Sequence, residues 1–506
     1  MRIAIIGGGI AGLAAAYELA HLAPDGAPVE AVLFESSSRL GGLIETVREG
    51  GFTVEAGPDG WVSAKPWARE LAIELGLESE LIHSNDATRK TWLYLNQRLL
   101  PLPDGLNMMV PATPEALAAL TESGEASPFF TPAAIAAYRG EPARASELIA
   151  SIPAHDESIA DFTLRHFGPE VLARVAAPLL AGVFGGDVHT LSARAVLPAF
   201  VAMERTHGSL ITALADRTTD SGERTTPIFT TLRSGLGTLI DRLIAAIPQP
   251  WLRRNTTVTA LTPPDGGNPQ WTLATVGHTT PKRRGTETFD AVLLATPLDA
   301  ARALLTPLLP KAPRLLPTES SSAVLVAFCF PDATRVPLPA GFGLLVPPNG
   351  SASKEQLDPA ETLLLACTFT DQKFPHRVPA GGRQVRAFFG GAAADRLARC
   401  GNDEIAAIAR LELGRIFNAH NYAHAPLTGP APTPLPAPVL TVIRRWPNSL
   451  PQYSVGHLDR AAELESQMAR LPGLTLLGNA LHGVGIPDLI RDARKAARAA
   501  SLTTHK

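Results

Sequence analysis

Ile3-Ala4-Ile5-Ile6-Gly7-Gly8-Gly9-Ile10-Ala11-Gly12, answered downstream by Leu33-Phe34-Glu35, is the stretch that decides the fold. The apolar run before Gly7 predicts a buried parallel strand, and Leu13-Ala14-Ala15-Ala16-Tyr17-Glu18-Leu19 predicts the helix after it. Glycines occupy the turn between them. Gly7 permits the tight turn, Gly9 lets a pyrophosphate approach the backbone, and Gly12 lets the helix pack closely on the strand. With Gly8, Ile10 and Ala11 they present free N–H groups at a helix N-terminus, where the dipole favours phosphate. Glu35 ends the second strand, where a carboxylate accepts from ribose hydroxyls and repels a 2′-phosphate, which disfavours NADP. The apolar start does not predict a secretory leader, because only Arg2 supplies a preceding charge and the glycines break the apolar run.

Size and composition bound the rest. A chain of 506 residues can hold two or three domains with large cores. Hydrophobic residues make up 45% and charged residues 18%, and 42 glycines and 45 prolines are too few and scattered for a disordered chain. A formal net charge of −3 gives no nucleic-acid surface. Cys329, Cys367 and Cys400 lie far apart without metal-ligand spacing, so they predict buried small hydrophobes in a reducing compartment, and no metal site. No apolar run approaches the ~18 residues of a spanning helix.

Along the chain, residues 69–77 and much of 112–215 read as helical, interrupted by prolines and glycines. A helix over 238–247 precedes strands at 257–261, 271–276 and 289–295. Strands at 323–330, 343–346, 362–369 and 385–389 predict a second, largely antiparallel sheet. After a proline-rich connector at 430–438, Leu474-Thr475-Leu476-Leu477-Gly478-Asn479 and a basic helix over 490–500 predict a last strand and helix returning to the nucleotide domain. Both chain ends would then build one site.

Ser36-Ser37-Ser38-Arg39-Leu40-Gly41-Gly42 adds a second element that a nicotinamide enzyme does not need, an arginine for phosphate or ribose oxygens and two more glycines for close backbone approach. This resembles the FAD signature of the amine oxidase-like flavoprotein superfamily. Further pieces run through nearly the whole chain: Gly51-Phe52-Thr53-Val54-Glu55-Ala56-Gly57-Pro58-Asp59, residues 156–162, 178–187, 341–347 and 443–446, Pro451-Gln452-Tyr453-Ser454-Val455-Gly456-His457, and Gly478-Asn479-Ala480-Leu481-His482-Gly483-Val484-Gly485-Ile486-Pro487-Asp488. In order and spacing they resemble the protoporphyrinogen/coproporphyrinogen oxidase family.

That resemblance implies an α/β (α+β overall) fold. Its parts are a Rossmann-like FAD domain of the p-hydroxybenzoate hydroxylase type (1–63, 229–300 and 446–506), a substrate domain with a mixed or antiparallel sheet (64–95 and 301–445), and a helical domain (96–228). It implies an FAD oxidase that takes six electrons and six protons from a porphyrinogen, protoporphyrinogen IX or coproporphyrinogen III, in haem biosynthesis, with O2 as acceptor. It fits a cytoplasmic protein, monomer or homodimer, with room for peripheral contact on the cytoplasmic face of the membrane and hand-off to a ferrochelatase. By the same resemblance FAD touches Gly7 through Gly12, Glu35, Ser36, Arg39, Leu43, Gly57, Pro58, Asp59, Gly60, Val258 and Trp446. Val484, Gly485 and Ile486 line the isoalloxazine, where N–H donors and a helix N-terminus stabilise the negative charge of reduction. Asp59, Gly182, Phe184, Gly185, Leu345 and Phe369 line the substrate pocket, and the flavin rather than a side chain does the chemistry.

Relatives from eukaryotes carry a propionate-binding arginine where this chain has Thr91, which leaves Arg89 or Lys90 as substitutes. His457 and His482 read as structural. The rival enzymatic readings are a flavin amine oxidase or a carotenoid desaturase; amine oxidases usually place an arginine where Leu43 stands. A reading of another class is a non-catalytic carrier of flavin or haem intermediates.

Overall fold

The structure is a computed structural model that describes residues 1–22, 29–95, 97–122, 129–221, 227–278, 283–347, 363–421 and 434–502. The opening strand Arg2–Ile6 pairs in parallel with Glu30–Phe34 on one side and Ala291–Leu294 on the other. Leu252–Arg253 and Leu474–Leu476 extend the sheet to five parallel strands drawn from both ends of the chain. Both faces are covered, which is why these strands are continuously apolar. Ile3, Ile5, Leu33 and Leu293 pack under the helices Ile10–His21, Gly237–Ala246 and Ile486–Leu502. Ala4, Ile6, Val32 and Leu294 face the three-stranded meander 256–289 and the helices Leu298–Leu305 and His457–Met468. Each fully buried Ile or Leu of these layers contributes about 1.5–3 kcal/mol.

A mixed seven-stranded sheet forms the second layer, in the order Leu440–Pro451, Ser320–Phe330, Arg383–Gly390, Ala366–Phe369, Gly343–Leu345, Thr91–Leu95, Arg98–Pro101. One pair, Gly343–Leu345 with Thr91–Leu95, is parallel, and the other pairs are antiparallel. One face packs on the helix Asn402–Asn421. The opposite face, with Leu325, Ala327 and Cys329, packs on Phe52 and Val54 of the nucleotide-binding part.

The helices between Pro114 and Ser221 carry a core of their own around Tyr138, Phe162, Phe167 and Phe200. Ser158 starts one of them, Ile159–Val171, by accepting from the N–H of Asp161. Two expected boundaries are corrected. A helical domain does not begin at 96, because Arg98–Pro101 closes a hairpin on Thr91–Leu95. The division at 445/446 falls inside one continuous strand, Leu440–Pro451. Among the described residues no helix is long and apolar enough to cross a membrane, and no His, Cys, Asp and Glu cluster is arranged to hold a metal ion.

Candidate active site

The glycine turn is built as its residue types require. Gly7 has φ +109°, and any side chain there would strike the carbonyl of Ala295; one at Gly12 would strike the carbonyl of Gly7. Gly9 differs, since a Cβ on it would meet only the Cα of Gly42, 4.0 Å away. The second glycine pair exists for that crossing, with Gly41 donating its N–H to the carbonyl of Gly8 at 2.8 Å. No side chain caps the helix that starts at Ile10, so its N-terminal N–H groups are left to a ligand. Glu35 sits beside them, its carboxylate accepting from the N–H groups of Gly8 and Ser37, both at 2.8 Å. Ser36 is exposed next to it.

Arg39 is placed differently from the expectation. Its guanidinium donates to the carbonyls of Leu40, Gly42 and Ile44, so these contacts tie down its own loop rather than reach out to a phosphate. That loop matters to the site nonetheless, because the carbonyl of Leu43 lies so close to Gly57 that only glycine fits there. Leu43 itself is exposed, and Val258 is buried on the meander.

Fit to FAD can be judged from polar atoms as well as space. The Oγ1 of Thr296, just after the strand that abuts Gly7, and the indole Nε1 atoms of Trp61 and Trp446 are buried without a hydrogen-bond partner. None of the three has accessible surface, so they lie behind the cradle, and the polar groups a dinucleotide would meet are the uncapped N–H groups of the helix that starts at Ile10. Together with the open cradle at Gly9, the residues present fit the dinucleotide. Val484 and Gly485 lead into the helix Ile486–Leu502, whose first-turn Asp488 is 3% exposed and pairs with Lys65 at 2.5 Å and Arg491 at 3.3 Å.

A buried ionic cluster joins this cradle to the second sheet. Asp59 meets the ammonium of Lys373 at 3.1 Å and Arg386 at 3.2 Å, and Arg386 also donates to the carbonyl of Gly57. Arg377, fully buried, pairs with Glu55 at 2.8 Å and donates to Thr231. Burial alone would raise the Asp59 carboxyl, but Lys373, Arg386 and Arg377 outweigh it and hold the group far below the usual carboxylate range. Burial pushes the Lys373 ammonium down, against the pull of Asp59. Sequence reading found Asp59 and missed its partners, which lie more than 300 positions away. The one local signal was Arg386, a charge within the apolar run Val385 to Phe389 of a central strand.

On the substrate side, the structure brings Gly182 and Leu345 together: a Cβ on Gly182 would lie 2.8 Å from the side chain of Leu345. Gly185 ends the helix Ala177–Phe184 with φ +61°, against Ser321. The side chain of Phe184 lies outside the described residues. Phe369 is corrected. It is fully buried and packs edge-on against Phe417, 6.0 Å away, in the core beneath the far face. Strand alternation sends Cys367 and Phe369 to that core and leaves Ala366 and Thr368 on the face shared with Arg386.

Arg89 and Lys90 are also not brought to the site by any described contact. Arg89 is exposed, and Lys90 pairs with the exposed Asp104 at 3.6 Å, so both belong to the surface. His457 is buried and bonded to the carbonyl of Leu481, and His482 pairs with Glu465.

Against this geometry, a family profile described as flavin containing amine oxidoreductase matches residues 10–501. The coproporphyrinogen III oxidase of Bacillus subtilis (strain 168) is 31% identical over 99% of this chain and 98% of its own length. That of Propionibacterium freudenreichii subsp. freudenreichii is 30% identical over 98% and 90%. A crystal structure from Exiguobacterium sp. 255-15, provisionally assigned as a protoporphyrinogen oxidase, superposes with a TM-score of 0.78 at 28% identity, covering 99% and 98% of the two chains. With the match running almost from end to end and the dinucleotide cradle in place, this chain belongs to the flavin containing amine oxidoreductase family.

Proposed function

We propose that the protein is an FAD-dependent oxidase that converts a porphyrinogen to the porphyrin with O2 as acceptor, and that coproporphyrinogen III is its substrate. The observation that carries this reading is the end-to-end match, at 31% identity, to a coproporphyrinogen III oxidase. FAD, when bound, supplies the hydride acceptor and passes the electrons to O2. The protein's part is to hold a meso carbon of the macrocycle against the flavin in an enclosure that excludes water, which needs positioning and no side-chain nucleophile. Gly7 through Gly12 and Glu35 bind the nucleotide end in this reading. Val484, Gly485 and Ile486 face the isoalloxazine, and Gly182 with Leu345 shapes one wall for the macrocycle. Asp59, held ionised by its three cations, borders that space.

We further assign 1–63, 229–300 and the segment after Pro451 to the flavin part, and the seven-stranded sheet with the helices from Pro114 to Ser221 to the substrate side. The reading extends to a cytoplasmic location, product transfer to a ferrochelatase and a peripheral membrane contact through those helices.

Aerobic turnover of chemically reduced coproporphyrinogen III and protoporphyrinogen IX, followed by porphyrin fluorescence above the no-enzyme rate, tests the proposal. Faster oxidation of the tetracarboxylate is expected. Equal or greater kcat/KM on protoporphyrinogen IX overturns the substrate assignment, and oxidation of primary amines with neither porphyrinogen turned over overturns the reaction.

A further inference from the structure

The segment Pro451 to His457 supplies no group that the proposed chemistry requires, yet it is bonded to the loop that leads into Val484-Gly485-Ile486. Tyr453 is 4% exposed, and its ring stacks on His457 with centroids 4.0 Å apart and planes 12° from parallel. Its hydroxyl donates to the carbonyl of Asn479 at 2.7 Å and accepts from the N–H of Gly483 at 3.0 Å. Between these points the stacked His457 holds the carbonyl of Leu481 at 2.8 Å. Residues 479, 481 and 483 are thus fixed by two side chains of one short segment. The segment is itself anchored: the Tyr453 carbonyl accepts from Ser192, the Val455 N–H donates to Thr190, and the Gly456 N–H donates to Asp156. A loop closed at both ends by one hydroxyl has its following residues placed by that hydroxyl. Gly483, at φ +125°, could otherwise swing Val484 and Gly485 through a wide arc.

We infer that Tyr453 is a positioning residue for the flavin: its hydroxyl, bridging Asn479 and Gly483, sets where the N–H groups of 484–486 stand and thereby the flavin's reduction potential. The inference rests on the proposal that 484–486 face the isoalloxazine. Donors aimed at developing negative charge act only if held in place beforehand.

The test compares FAD-loaded parent, Tyr453→Phe, Gly485→Ala and Tyr138→Phe by midpoint potential, visible absorption, kcat, KM and melting temperature. Tyr138→Phe is the structural control, losing a buried hydroxyl bonded to the Met109 carbonyl at 2.9 Å within the helical core. Tyr453→Phe keeps the stack and loses both bridges. It should lower the midpoint potential and cut kcat several-fold with KM little changed, whereas Tyr138→Phe lowers the melting temperature alone. If Tyr453→Phe shifts only the melting temperature while Gly485→Ala shifts the potential, the inference fails and the flavin-facing reading of 484–486 survives. If neither moves the potential, that reading fails as well. Should Tyr453→Phe hold no flavin, 3-fluorotyrosine encoded at position 453, which keeps both bridges, should hold flavin at the parent's potential, and a shifted potential there overturns the inference.

Discussion

Replacing Asp59 by asparagine removes one of the two anions, Asp59 and Glu55, that face Lys373, Arg377 and Arg386 in the interior. Breaking a buried ion pair by removing one partner costs about 3–5 kcal/mol, because the other charge stays desolvated. At about 2 °C per kcal/mol for a large chain, the expected fall in melting temperature is about 6–10 °C. Lys373 makes the effect pH-dependent. Burial already holds its ammonium below the ordinary lysine value with Asp59 opposite, and without that carboxylate the pKa falls further. The unfolded state then binds more protons than the folded state, so the variant gains stability as pH rises through the folded pKa toward the unfolded value. Thermal denaturation of FAD-loaded parent and Asp59→Asn from about pH 6 to about pH 9 should show a gap that is widest at acid pH and narrows with alkalinity. Adding Lys373→Met to the variant should abolish the narrowing. A gap that is absent at acid pH, or constant across the range, would refute the buried-cluster argument.

Gly9→Val should leave largely apo-protein, because a side chain on Gly9 meets nothing but the Cα of Gly42 and so would fill the open pyrophosphate cradle; full flavin absorbance in the purified variant contradicts this. Replacing both Arg89 and Lys90 by alanine should leave KM for coproporphyrinogen III unchanged, since neither cation is brought to the site; a rise of about tenfold, the worth of a charge-assisted carboxylate contact, returns them to it. His166 lies fully buried between Glu141 at 2.9 Å and Glu204 at 3.0 Å; burial would lower its pKa, but hydrogen bonds to both carboxylates raise it above the ordinary value. Its stabilisation is therefore complete below about pH 6.5 and lost as pH rises through the raised folded pKa. His166→Gln should melt lower than the parent by several degrees in acid, with the two curves converging in alkali, and parallel curves disprove the assignment.

The nucleotide half of the site was legible because its constraints are local. Gly7, Gly9 and Gly12 fall within one turn, and the positive φ of Gly7 and the approach of Gly12 to the Gly7 carbonyl belong to that turn, although the Ala295 carbonyl that also bars a side chain at Gly7 comes from a distant strand end. The substrate half was not, for two physical reasons. Phe369 was assigned by likeness instead of by strand parity, and two-residue alternation sends it with Cys367 into the core while Thr368 faces the site. The partners of Asp59 were hidden because Lys373, Arg377 and Arg386 reach it only across the contact between the two sheets. No periodicity within a strand or helix encodes such a pairing. The hairpin at 98–101 was missed for a similar reason, since Arg98-Leu99-Leu100-Pro101 is too short to show alternation and is a strand because Thr91–Leu95 lies beside it.

The way the chain closes on itself bears on when the flavin can be held. The turn at Gly7 to Gly12 is closed by Glu35, Gly41 and the carbonyl of Ala295, and the proposed isoalloxazine contacts lie at the start of the last helix, Ile486–Leu502. That helix lies on the first one, with Arg494 at 2.6 Å and Arg498 at 2.5 Å from the 4%-exposed Glu18, and Asp488 reaches Lys65 at 2.5 Å. These are contacts of maximal sequence separation, and loop-closure entropy makes them the most costly to form early. The nucleotide end of FAD therefore needs the strand Ala291–Leu294 in place beside the first strand, and the ring is enclosed only after the carboxy-terminal helix has packed. Binding to the native state alone stabilises the protein by mass action, so a bound flavin shares its free energy with the pairing of the two chain ends. The basic composition of the last helix follows from this arrangement: Arg494 and Arg498 pair with Glu18 and Glu74, holding the end of the chain against its beginning, while Arg491 pairs within the helix with Asp488 and Asp492.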